Sequence, residues 1–163
     1  MHAFDVAAQT VAEALKTGQI GTPVAARVVA VLTADHGFSP APEYSRERGQ
    51  GGGRLSGSQT IARLNAELSK VHGEGTWVLG FSAGGVVLNR KLAAERKADL
   101  GVLTEGARGL LARTEGVAAA YTRAELLSGS KGGAPHFEAM RKTWNPARSG
   151  EIQMALQPNW LMT

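Results

Sequence analysis

The run Val24-Ala25-Ala26-Arg27-Val28-Val29-Ala30-Val31-Leu32 sets the strongest limit on the fold, because it is apolar throughout except for Arg27. A strand with one wet face would interleave polar residues, and this one does not. Such a run suits a strand buried on both faces, as in a parallel sheet covered by helices. Before it, Phe4, Ala7, Ala8, Val11, Ala12 and Leu15 fall on one face at helical spacing. Gly18 and Gly21-Thr22-Pro23 then stop that helix. Helix, tight connection and buried strand in succession define an α/β unit.

The remainder is more varied. Residues 39–58 are rich in Pro, Gly and Ser, with Gly51-Gly52-Gly53 at the centre, and read as a mobile loop. Ile61, Leu64, Leu68 and Val71 predict a helix over Gln59–Val71. Strands are expected at Thr76–Phe81 and Val86–Asn89, with Ser82–Gly85 connecting them, because consecutive glycines supply the positive φ that tight connections use. A helix from Leu100 to Arg113 should end before Gly116, followed by a short strand at Val117–Tyr121. Thr122 is placed to cap a short helix through Leu127. A second loop covers Ser128–Pro135, and a helical stretch lies near Phe137–Lys142. Glu151–Leu156 alternates like a half-exposed strand before Pro158. No internal repeat is present.

The expected fold class is therefore α/β: the end of a parallel sheet covered by helices, followed by a small α+β subdomain. Residues 1–40 form a partial α/β unit, and residues 41–163 form an α+β subdomain of the same domain. A chain of 163 residues has material for about one ordinary core.

Several classes are disfavoured. No run of about 18 apolar residues exists, so no transmembrane helix is expected. The start Met1-His2-Ala3-Phe4-Asp5 has no basic segment leading into an apolar one. Either the protein is cytoplasmic or a leader lies outside this chain. The absence of Cys excludes disulfides and thiolate metal sites. The net charge of +4 would permit an anionic partner. Lys and Arg are nevertheless scattered singly among Glu, without interleaved aromatics, so no nucleic-acid partner is expected.

Directly after the apolar strand stands Leu32-Thr33-Ala34-Asp35-His36-Gly37. Ligands of open α/β sheets bind beyond the carboxyl ends of strands. An acid and an imidazole sit there, and Gly37 permits a sharp turn that can bring both onto one ion. Carboxylate oxygen and imidazole nitrogen are both good zinc ligands. The plainer alternative is that Asp35 caps a turn and His36 lies at the surface.

The string Val-Leu-Thr-Ala-Asp-His-Gly resembles the signature of the alkaline phosphatase and nucleotide pyrophosphatase/phosphodiesterase superfamily, nearest to its bacterial alkaline phosphatase branch. The resemblance continues in family order through Phe38–Tyr44, Gly75–Phe81, Leu88-Asn89-Arg90, Gly116–Arg123, Asn145–Ile152 and Pro158-Asn159-Trp160. It covers the chain from about Val28 to Trp160. It implies a hydrolase of phosphate mono- or diesters with two zinc ions, periplasmic or secreted. The ions would bind the phosphoryl group and activate a Thr or Ser nucleophile. Asp35 and His36 would be ligands of the zinc beside that nucleophile.

The sequence departs from the family pattern in what it lacks. In the family the nucleophile and its neighbouring Asp lie upstream, as does a further Asp and His pair; residues 1–27 offer no equivalent. The last His ligand of the family lies just past the position of Thr163. A zinc site takes about three or four protein ligands, and the resemblance supplies Asp35 and His36. The chain alone is thus expected to bind zinc weakly and to catalyse nothing.

Two competing readings stand beside this one. Gly80-Phe81-Ser82-Ala83-Gly84 matches the nucleophile elbow of α/β-hydrolases, with Asp99 and His136 in the order of a triad. Against it, Gly84-Gly85-Val86-Val87 forms helix poorly, and an elbow requires a helix there. Alternatively the chain is a non-catalytic accessory subdomain. Among other candidates, His72 should lie at a helix end beside its dipole. Gly51–Gly53 lacks the Lys of a phosphate loop. Trp77, Trp144 and Trp160 read as packing; Arg148 could face an anionic substrate, but the plainer reading is part of a turn-stabilising ion pair.

Overall fold

The computed structural model describes residues 12–14, 16–18 and 39–163. Residues 12–14 and 16 are helical, as the first periodic stretch predicts. The strand expected at Val24–Leu32 lies outside the described residues. Residues 39–163 form one compact unit, and the fold is mixed α/β with helices, an antiparallel sheet and a parallel pair.

Two helices build the main core against the sheet. Helix α1 (Pro42–Glu47) and strand β1 (Gly53–Leu55) come first, followed by α2 (Gly57–His72). Ser56 caps α2 by accepting the Gln59 amide, and Gly73, at φ 84°, ends it. Strands β2 (Val78–Ser82) and β3 (Gly85–Leu88) form a hairpin. Short α3 (Arg90–Glu95) precedes α4 (Leu100–Ala112), and β4 is Val117–Thr122. The α2 residues Thr60, Leu64 and Leu68 and the α4 residues Leu103, Ala107 and Leu111 are buried. Spacing of four residues places each set on one helical face. These faces meet Trp77, Val86 and Leu88, together with Ile152 and Met154 from β5 (Ile152–Leu156).

The sheet order is β2-β3-β5-β4, antiparallel throughout. Asn65 ties α2 to the sheet edge: its amide donates to the Val78 carbonyl at 3.0 Å, and its carbonyl accepts the Val78 amide at 2.8 Å. Helix α5 (Arg123–Ser128) starts in a capping box between Thr122 and Glu125. With α6 (Phe137–Thr143) it forms a second small core, where Tyr121 meets Phe137 edge-on at 5.0 Å. Burial, and after it the Glu125 charge, pushes the Tyr121 phenol above its ordinary pKa.

Two expectations require correction. Residues 39–58 are not simply a loop, since they contain α1 and β1. Pro42 suits a first helical position, and β1 pairs in parallel with β6 (Trp160–Met162). The partner lies at the other end of the unit, so no local pattern announces the pairing. Gly53 permits it, because a Cβ there would sit 2.7 Å from the Trp160 ring. Likewise, β5 is not half-exposed. It lies between β3 and β4 with Ile152, Gln153 and Met154 all buried. The polar member of its alternation, Gln153, is covered by the hairpin glycines, its Cδ coming 3.1 Å from where a Gly85 Cβ would stand.

The α1–β1 contact is clipped by Arg54, whose Nε and Nη2 donate to the two Glu43 carboxylate oxygens at 2.8 and 3.0 Å. The Arg54 hydrogen bonds are the largest cause holding the Glu43 carboxyl down to about 2. A depressed carboxyl pKa contributes stability above its unfolded value, and that contribution is lost as pH falls. The protection of amides in residues 42–55, measured against their intrinsic exchange rates, should therefore fall as pH drops from about 4.5 toward about 2. Arg54→Ala should remove that acid-dependent step; an unchanged step would show that another carboxylate carries it.

Candidate functional site

Asp35 and His36 lie outside the described residues. Among the described residues no group of three or more His, Cys, Asp or Glu is placed to hold a metal ion. No described helix is long and apolar enough to cross a membrane.

The hydrolase-elbow constellation is not assembled, and that reading is corrected. Ser82 pairs with Gly85 across a two-residue turn in which Ala83 has φ 48° and Gly84 φ 75°. Both centre residues are at positive φ, the pattern of a type I′ hairpin, whose twist matches the strands it joins. A strand follows the turn where an elbow requires a helix. Asp99 is engaged as the cap of α4, accepting the Gly101 and Val102 amides at 2.7 and 3.0 Å. His136 is the residue preceding α6, at φ 63°. Ser82 and Asp99 thus have local structural roles, and the His136 side chain makes no capping hydrogen bond to α6.

His72 closes α2 as expected, with its ring 5.4 Å from that of Trp77. Arg148, expected in a turn-stabilising ion pair, has no acidic partner within 4.0 Å among the described residues. Its turn is held instead by the Asn145 carboxamide, which accepts the Ala147 amide at 2.9 Å, and by the Ser149 hydroxyl, which accepts the Asn145 amide at 3.1 Å.

The most polar convergence in the unit was not singled out by sequence reasoning. Glu151 is buried at the start of β5; one carboxylate oxygen accepts the buried Leu88 amide at 2.8 Å and the other accepts Arg90 Nε at 2.6 Å. Arg123 donates to the Pro146 carbonyl, and its guanidinium stands 5.4 Å from the Trp144 ring. Arg90, Arg123 and Glu151 line two adjoining clefts. The first, about 380 Å³, has a largely apolar wall including Leu100, Ala124 and Leu127. The second, about 580 Å³, adds Lys91 and Arg148. The two linings thus hold four cations, from α3, from the start of α5 and from the turn before β5, together with the carboxylates of Glu151 and Glu105. In the sequence Arg148 alone among them is marked as a possible contact to an anionic substrate, and the others read singly as solvated surface charge.

Comparison with known proteins accords with this fold. No protein-family model matches the chain. Alkaline phosphatase PhoD of Zymomonas mobilis subsp. mobilis is 29% identical over 145 residues, which is 80% of this chain and 24% of that protein. Among solved structures, wild-type alkaline phosphatase PafA superposes with a TM-score of 0.68 at 20% identity, covering 79% of this chain and 24% of that one. A multiply substituted PafA gives 0.67 at 19% identity. The chain therefore spans about a quarter of the length of the relatives it matches. Over this span its fold is similar to that of a region of alkaline phosphatase PafA, in accord with the ordered motifs.

Proposed function

We propose that this chain is the metal-proximal region of a zinc-dependent phosphate ester hydrolase, acting on mono- or diesters in a periplasmic or secreted setting. The observation that carries the reading is the joint likeness, in sequence to an alkaline phosphatase and in fold to another, over four-fifths of the chain. In this reading Asp35 and His36 supply a carboxylate oxygen and an imidazole nitrogen at the end of a buried strand. The further ligands and the nucleophile come from sequence that this chain does not contain, so the isolated chain is inactive. A bound zinc would act as a Lewis acid toward the phosphoryl group.

Calorimetry and turnover on the same preparation test this. The isolated chain should bind zinc weakly, and Asp35→Ala with His36→Ala should abolish that binding. Hydrolysis of p-nitrophenyl phosphate should stay at background with zinc added. A tight one-to-one site surviving both substitutions would rule out the ligand assignment. Zinc-dependent turnover lost on Asp35→Ala would show that the chain holds a complete site.

A further inference from the structure

We propose that the paired clefts around Glu151 form one binding site for an amphiphilic organic anion, with a phosphate- or phosphonate-type head and an aryl or short alkyl group. The two clefts share Arg90, Arg123 and Glu151, so they adjoin and present chemically different ends. At the second end Arg148 and Lys91 join the shared arginines. Glu151 offsets one of these four charges, and Glu95 stands 3.9 Å from Lys91; Glu105, which also lines the first cleft, is paired with Arg108 at 2.7 Å. Both Glu151 oxygens are already engaged, one by the buried Leu88 amide and the other by Arg90. A fork of guanidinium donors is suited to the several oxygens of a tetrahedral anion.

Two of the guanidiniums are already oriented, which lowers the ordering cost of binding. Arg90 is held by Glu151, and Arg123 by the Pro146 carbonyl and the Trp144 ring. The first end contributes an apolar wall of Leu100, Ala124 and Leu127, with Leu127 56% exposed. A simple inorganic anion would leave that wall wet. A ligand carrying an apolar group would cover it, and the largely apolar lining with a few convergent polar groups is the pattern of small-molecule sites.

The test uses phenylphosphonate and inorganic phosphate as probes, titrated into the 163-residue chain by calorimetry at low ionic strength. A chelator is present so that Asp35 and His36 hold no metal. Neither turnover nor zinc enters, so the outcome is separate from that of the hydrolase reading. Phenylphosphonate should bind about tenfold more tightly than phosphate, since it covers the apolar wall. Arg148→Ala should weaken both probes about tenfold. Leu127→Ser should erase the preference for phenylphosphonate while leaving phosphate affinity unchanged. Thermal unfolding of both variants checks that the fold is kept; both positions are exposed. Absence of binding, equal affinity for the two probes, or an Arg148→Ala variant that binds as before would overturn the proposal. So would a Leu127→Ser variant that retains the aryl preference.

Discussion

Trp77→Ala is expected to lower the unfolding free energy by about 3–5 kcal/mol, the range for deleting a large buried aromatic. Trp77 is 0% exposed and stands in the core where α2 and α4 meet the sheet. Its Nε1–H donates to the Gly73 carbonyl at 2.9 Å, just past the end of α2. The substitution therefore opens a cavity and also leaves that carbonyl without its partner. Because a domain's whole stability is about 5–15 kcal/mol, urea unfolding should show the variant close to its limit. Trp77→Phe should recover most of the loss while still lacking the hydrogen bond, worth about 1 kcal/mol. A loss under about 1 kcal/mol for the Ala variant would mean the core closes over the gap and does not depend on this ring.

Glu151→Ala is expected to cost about 2 kcal/mol, and the cost should come from a backbone donor more than from the ion pair. The Leu88 amide is buried and donates to Glu151 at 2.8 Å. Left without an acceptor it forfeits about 1–3 kcal/mol. The Arg90 side chain is 55% exposed, so solvent screens its attraction to Glu151 and that pair contributes at most about 1 kcal/mol. Arg90→Ala should accordingly be milder than Glu151→Ala. Glu151→Gln, which keeps an oxygen for Leu88, should fall between them. If Arg90→Ala proved as costly as Glu151→Ala, the ion pair would be the dominant interaction and this ordering would be wrong.

Much of the fold was legible in the residues. Leu64 and Leu68 in α2, Leu103 and Leu111 in α4, the cap at Thr122, and the hairpin made by Ala83-Gly84 all follow from periodicity and turn chemistry that act over a few positions. The hairpin also decided against Ser82 as a nucleophile, because glycine at positive φ favours a two-residue turn over a helix start. The Asp-His-Gly motif rests on the sequence alone, because Asp35 and His36 lie outside the described residues. The mixed α/β class and the likeness to alkaline phosphatases were both readable from motifs in order.

What the sequence by itself determined is thus what neighbours along the chain can enforce: which longer segments such as α2 and α4 are helical, where α5 is capped, and which turn joins β2 to β3. Only the tertiary structure decided the parallel pairing of Gly53–Leu55 with Trp160–Met162, the burial of Gln153 inside the sheet, and the meeting of Arg90, Arg123 and Arg148 around Glu151. Strand partners, coverage of a polar side chain and convergence of charges depend on which distant segments the core draws together. Side-chain spacing repeats over 2 residues in a strand and about 3.6 in a helix, and it carries no record of that distance.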